Sequence, residues 1–429
     1  MALGATEHSG HPGHRVRAWS VWALAAAAFG FAFFMRVSPS AMGDDLMRDF
    51  AVGAAVLGNL SAIYFYIYAG SQIPIGALMD RWGPRLMITL SIGLAAVGAG
   101  IFAIAEILYV AYLGRFLIGA GSACAFVGGL ILAGRWFPPH RFAMMSGLTM
   151  LGGMTGGMLG QGPLASLVDA WGWRTTMLAS AGFGAALALL VWLIVRDDPS
   201  PGTASSVSVK SRGDTLRGVK ETLSNFQIWF VLAVGASFSG PLLAFGALWG
   251  VPYLMVKFGL ERPDAALYTS LNLLGWALGA PLGGWLSDFV GRRKAPLLVA
   301  GLLNIVCLAI LFYLPGIPLT VTAGLIFAVG TLSGTMVITY ALAREITPPA
   351  THGTVTGFIN MGTVGAGAIL QPIIGLLLDW QWDGRIVDGA RVYALEAYDT
   401  AFACLMVWAV LGVVSLAFLR ETHCRPAVA

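Results

Sequence analysis

Charge is what this chain has least of. Only 11% of its residues are Asp, Glu, Lys or Arg, while 57% are hydrophobic; a soluble domain averages about 25% charged. That excludes an ordinary soluble fold and points to a polytopic helical membrane protein. Of the 21 acidic residues, none lies deep in an apolar run. Glu106, Asp169 and Asp379 fall near one set of run ends, and Glu345 near the other. Cysteine is limited to Cys124, Cys307, Cys404 and Cys424, which lack metal-like spacing and read as packing residues. There are no paired catalytic carboxylates, no clustered His or Cys ligands inside the apolar runs and no phosphate-cradling loop followed by Lys-Ser/Thr. Neither an enzyme, nor a metal, nor a cofactor is therefore expected.

What is present is hydrophobic length. A membrane span needs about 20 apolar residues. Twelve such runs are placed near 19–43, 53–79, 86–106, 108–134, 142–168, 174–195, 226–256, 265–287, 295–314, 317–343, 352–378 and 397–419. The polar stretch 196–224 divides them into two halves, 1–195 and 225–429, each with six helices and a short tail. Basic residues set the orientation. Seventeen of the 25 Lys and Arg fall on the face shared by the tails and the linker, and six on the other face. Both termini are thus expected in the cytoplasm of a bacterial inner membrane. The net charge of +4 reads as topology and not as nucleic-acid binding. Gly is abundant, at 56 residues, which argues for close helix contacts.

The two halves repeat. Gly76-Ala77-Leu78-Met79-Asp80-Arg81-Trp82-Gly83-Pro84-Arg85 returns, 208 residues later, as Gly284-Trp285-Leu286-Ser287-Asp288-Phe289-Val290-Gly291-Arg292-Arg293. Gly152, Gly157, Gln161 and Asp169 return 210 residues later as Gly362, Gly367, Gln371 and Asp379. A duplicated charged turn between apolar helices marks each half as a copy of one unit. The pattern resembles the major facilitator superfamily, whose loop between helices 2 and 3 reads G-x-x-x-D-R-x-G-R/K-R/K. Gly76, Asp80, Arg81, Gly83 and Arg85 match the first copy, with Pro84 replacing a basic residue. Gly284, Asp288, Gly291, Arg292 and Arg293 match the second, with Phe289 replacing an arginine. The resemblance implies an all-α membrane protein of twelve transmembrane helices in two pseudo-symmetric six-helix halves. It also implies gating at these loops, with Asp80 pairing near Arg135 and Asp288 near Arg344 in one state and releasing them in the other.

Two arginines lie inside apolar runs, Arg36 in the first and Arg115 in the fourth. Each costs roughly 2.5–3.5 kcal/mol at a helix centre unless it finds a partner or a wet cavity. With no deep carboxylate to answer them, an anion from solution is a natural partner, and the guanidinium fork suits a carboxylate or phosphate. Two bland readings compete: Arg36 meeting Asp44 or Asp45, and Arg115 acting as a structural post on helix-end carbonyls. Arg115-Phe116-Leu117-Ile118-Gly119-Ala120-Gly121 resembles a helix 4 signature of the superfamily. Arginines in both helices resemble its organic-anion symporters. Those usually carry acids where this chain has Met35 and Ser122, which puts coupling by buried carboxylates in doubt. Arg36-Val37-Ser38-Pro39-Ser40 resembles bacterial relatives of lysosomal dipeptide carriers.

Further substrate candidates are Tyr64 and Tyr68, one turn apart, and Asn272 and Trp276, likewise on one face. Gln161, Tyr340, Asn360 and Gln371 complete the set. The leading expectation is a monomeric carrier moving a small carboxylate-bearing anion by alternating access, with a coupling proton or ion left open. Transport of dipeptides or other neutral solutes, proton-driven drug efflux and a non-transporting membrane sensor are the alternatives.

Overall fold

The computed structural model describes residues 12–138, 141–198, 223–348 and 351–425. The expected linker 196–224 lies almost wholly outside the described residues, as do the surroundings of Gly76 and the Asp80 side chain. The first half runs α1 (Pro12–Val37), a 3-10 turn (Ser38–Ala41), α2 (Gly43–Asp49), α3 (Ala54–Ala103), α4 (Leu108–Ser122), α5 (Ala125–Trp136), α6 (Phe142–Leu159), α7 (Gly162–Trp171) and α8 (Trp173–Ile194). The second runs α9 (Phe226–Pro241), a π-helical segment (Leu242–Trp249), α10 (Gly250–Phe258), α11 (Arg262–Val290), α12 (Lys294–Tyr313), α13 (Leu319–Gly334), α14 (Val337–Glu345), α15 (His352–Trp380) and α16 (Leu395–Phe418). A small hairpin of β1 (Ile386–Val387) and β2 (Ala390–Arg391) precedes α16.

The described helices make twelve rods, because α3 is two helices joined at Gly83, the pairs α4–α5, α6–α7, α9–α10 (through the π segment) and α13–α14 are each one rod, and short α2 bends onto the start of α3. Among the described residues, nine segments are long and apolar enough to cross a bilayer, or ten if the bent pair Gly43–Asp49 and Ala54–Gln72 counts as one. The other rods, α6–α7 and α11, are rich in glycine and pack against each other at the seam between halves. The second seam is formed by α3 and α15.

The loop repeat has a backbone cause. Gly83 has φ +76° and Gly291 φ +66°, values that L side chains avoid, so glycine is required at both turns. Glycine also sets the close contacts of α6. A Cβ at Gly156 would run into the Gly30 backbone on α1, and one at Gly153 into the Phe29 ring. Gly157 instead faces Leu273 across the seam, at 3.0 Å from an added Cβ. Most of this glycine face therefore joins helices within one half, and only part of it meets the other half.

Candidate functional site

Arg36 is the last residue but one of α1, two before the 3-10 turn, and is 5% exposed. Its guanidinium carbon lies 4.0 Å from the Phe33 ring centre, 4.9 Å from Tyr68, 5.4 Å from Tyr64 and 5.9 Å from Phe65. Each such contact is worth about 0.5–1 kcal/mol in water and about 2 kcal/mol when desolvated. Rings shield a guanidinium but supply no counter-charge. Among the described residues no carboxylate pairs with Arg36, and its Nε is buried without a hydrogen-bond partner. The bland pairing with Asp44 or Asp45 is not made: Asp45 is taken by Arg48 at 2.6 Å and by Arg262 at 2.6 Å.

Arg115 on α4 is fully buried and spends its fork differently. It donates to the Met35 carbonyl at 2.8 Å and to the Ser61 carbonyl at 3.4 Å. Those carbonyls sit beside Arg36 on α1 and one turn before Tyr64 and Phe65 on α3. Arg115 thus pins the two helices that build the ring cage. Tyr64 is held as well, its hydroxyl donating to the Ala32 carbonyl at 3.1 Å, and it stacks on Tyr68 with centroids 5.9 Å apart.

The opposing wall comes from the second half. Tyr340 stands there on α14. Its hydroxyl donates to Asn360 Oδ1 at 3.0 Å and lies 3.3 Å from the Thr363 hydroxyl. Asn360 in turn donates to Gln72 Oε1 on α3 at 3.0 Å, closing a polar chain across the seam. Sequence reasoning had Tyr64, Tyr68, Tyr340 and Asn360 but missed Phe33, Phe65, Gln72 and Thr363. The spacing held a signal for Gln72, which follows Tyr64 and Tyr68 at the same four-residue interval.

Three other candidates converge elsewhere. Gln161 donates to the Gly246 carbonyl and Gln371 to the Leu243 carbonyl at 2.7 Å, both within the π segment. Trp249 Nε1 donates to the Gln371 carbonyl at 3.1 Å. Asn272 packs against Gly246 and donates to the Ile326 carbonyl at 3.3 Å. A π turn frees backbone carbonyls from the regular ladder, and the repeated glutamines satisfy two of them. Trp276 is buried, with Nε1 unpartnered.

At the face bearing the chain termini, polar contacts among the described residues stay within one half. Arg85 takes the Trp192 carbonyl at 2.7 Å, and its N–H donates to Asp197 at 2.7 Å. Arg135 lies 3.6 Å from Asp198. The expected Asp288–Arg344 pair is not formed. Asp288 pairs with Arg293 at 2.7 Å, Arg293 also holds Glu345 at 2.6 Å, and Arg344 donates to Thr356 at 3.2 Å. The nearer arginine, in the same loop, wins the carboxylate. Arg81 and Arg292 point to solvent.

The opposite face is latched across the halves. Asp379, ending α15, accepts from the N–H groups of Ala54 at 3.1 Å and Ala55 at 2.9 Å, the first residues of α3. Tyr393 at 2.6 Å and Arg391 at 3.2 Å hold the same carboxylate. Asp169, its repeat partner, pairs at 3.1 Å with Arg262, the first residue of α11. Ala54 and Arg262 are themselves 208 residues apart, so the two latches are copies of one another, each joining the end of a rod in one half to the start of a rod in the other. Just inside lies a small pocket lined by Ser40, Asp44, Trp249, Arg262 and Tyr398 among others.

Two like halves, packed at two equivalent seams around a buried arginine and, among the described residues, bridged by carboxylates at the face opposite the termini, have the architecture of a membrane transporter. The chain matches the Major Facilitator Superfamily over residues 23–260 and again over 242–428, and it belongs to that family. It is 23% identical to the uncharacterized transporter YybO of Bacillus subtilis over 86% of this chain and 88% of the relative. It is 27% identical to the probable sulfoacetate transporter SauU of Cupriavidus necator, with 90% of each chain covered. Identity to the gentisate transporter of Corynebacterium glutamicum is also 27%, over 78% of this chain and 76% of the relative. A solved bacterial homologue of the human lysosomal transporter Spinster, inward-facing and occupied, shares the fold with a TM-score of 0.75. Its identity is 19%, over 95% of this chain and 97% of that one.

Proposed function

We propose that this protein carries a small carboxylate-bearing organic anion across the membrane by alternating access, with Arg36 as the anion's contact. The observation that supports this most is the Arg36 guanidinium, enclosed by rings, with a buried Nε that has no hydrogen-bond partner and no carboxylate paired with it among the described residues. Arg115 is the positioning residue that holds α1 against α3. The names of the sulfoacetate and gentisate transporters support an anionic cargo. The excess of basic residues assigns the terminal face to the cytoplasm. We read the turns at Gly76–Arg85 and Gly284–Arg293, with Arg135 and Arg344, as the cytoplasmic gate.

Counterflow in proteoliposomes tests the reading. Vesicles loaded with unlabelled gentisate should take up the labelled anion faster than empty ones. Arg36→Gln should abolish the difference while leaving the protein folded and monodisperse. Counterflow that survives this change would move the binding site elsewhere.

A further inference from the structure

Resting on that reading of Arg36, we infer the charge pattern of the cargo: one negative group at one end and an uncharged hydrogen-bonding group at the other. The two walls of the site are unlike. On the first half stands Arg36, with which no carboxylate among the described residues pairs. Arg115, the other arginine inside the first half's rods, is fully buried and has committed two of its nitrogens to backbone carbonyls. Across the seam stand Tyr340, Asn360 and Thr363, already bonded to one another and to Gln72. All four are neutral, and all carry both donors and acceptors.

A second carboxylate on the cargo would be desolvated against these neutral groups with no cation to meet it. Burying an unpaired charge is far costlier than burying a bonded hydroxyl or amide. A protonated amine meets the same obstacle, since no carboxylate faces Arg36. The carboxylate of Asp44, which has no ion pair, lines the separate cavity beneath the latch, and none of the rings around Arg36 belongs to its walls. Dianions and dipeptides are therefore disfavoured, whereas hydroxy acids, hydroxybenzoates and half-esters fit.

The test compares each diacid with its own monomethyl ester, because the ester is larger yet carries one charge less. Malonate, succinate, adipate and isophthalate, their monomethyl esters and the dipeptide Ala-Ala are titrated against the purified full-length protein, read by thermal shift and calorimetry at pH 7.5. In every pair that binds, the ester should bind at least about 10-fold more tightly than the diacid. Ala-Ala should give no Arg36-dependent binding. Arg36→Gln should weaken the esters by about 30-fold or more, the loss usual when a buried charge pair is broken. Asn360→Lys, which adds a cation to the neutral wall, should narrow the ester–diacid gap. A diacid that equals or beats its ester in any Arg36-dependent pair, or Arg36-dependent binding of Ala-Ala, overturns the charge pattern and leaves anion recognition standing. No binding by any ester or diacid overturns the anion reading itself, and the charge pattern with it.

Discussion

Removing the Asp379 carboxylate should open the face opposite the termini. This group caps the first two N–H groups of α3 from the other half of the molecule. A helix N-cap is worth about 1 kcal/mol, and a carboxylate at a helix N-terminus adds roughly 0.3–1 kcal/mol through the helix dipole. Both terms exist only while the halves are closed at this face, so Asp379→Ala removes nearly 2 kcal/mol from the closed form alone. The ratio of open to closed molecules should then rise about 10- to 30-fold. Asp379→Asn keeps a cap and loses the charge, so its shift should be only a few-fold. Spin labels at Ile107 and Val387, both exposed, placed in a background without Cys124, Cys307, Cys404 and Cys424, report the separation by pulsed electron resonance. An unchanged distance distribution in the alanine variant, or an asparagine variant as disturbed as the alanine one, would refute the capping argument.

Arg115→Lys cannot reach two carbonyls on different helices with one ammonium. It should lower the melting midpoint by a few degrees and weaken anion binding several-fold; an unaltered protein would show that the carbonyl bonds position nothing. Gly156→Val places a branched side chain against the Gly30 backbone, with an overpacking cost of at least about 1–3 kcal/mol. Gly182→Ala, where an added Cβ meets nothing within 4 Å, should leave the melting midpoint unchanged. Glu421 is partly buried, which opposes ionisation, but four backbone N–H groups, including those of Arg293 and Lys294 at 2.8 and 2.9 Å, outweigh that and hold its carboxyl below the usual range. A depressed folded value means the tail contact contributes stability above the unfolded value near 4.5 and loses it as pH falls through the lower folded value. Hydrogen-exchange protection at Arg293 and Lys294 should hold at pH 6 and collapse in acid, while Glu421→Gln should lose it at both.

Much of this architecture was legible because period and length are local properties. Twelve apolar runs became twelve rods, and the repeated loop glycines became the two positive-φ turns at Gly83 and Gly291. The scarcity of deep acids was visible in the chain, and among the described residues no carboxylate pairs with Arg36. What a linear reading could not see is which rods meet. Gln161 and Gln371 looked like cavity residues because both are polar and repeated, yet they serve a π segment that no local pattern announced. Asp169 and Asp379 were visible as a repeat, but their role as latches depends on the starts of α3 and α11, more than a hundred residues from Asp379 in one case and from the other half in both. Asp288 pairs here with Arg293, five residues away, and the expected pairing with Arg344 was assigned to one state of the cycle only.

Anion recognition at Arg36 is tested most directly by an experimental density map of the protein with a transported carboxylate bound. The carboxylate should lie edge-on to the Arg36 guanidinium, between the Tyr68 ring and the Tyr340–Asn360 wall. Density for the anion away from Arg36, or an Arg36 paired with one of the chain's own acids, would contradict it.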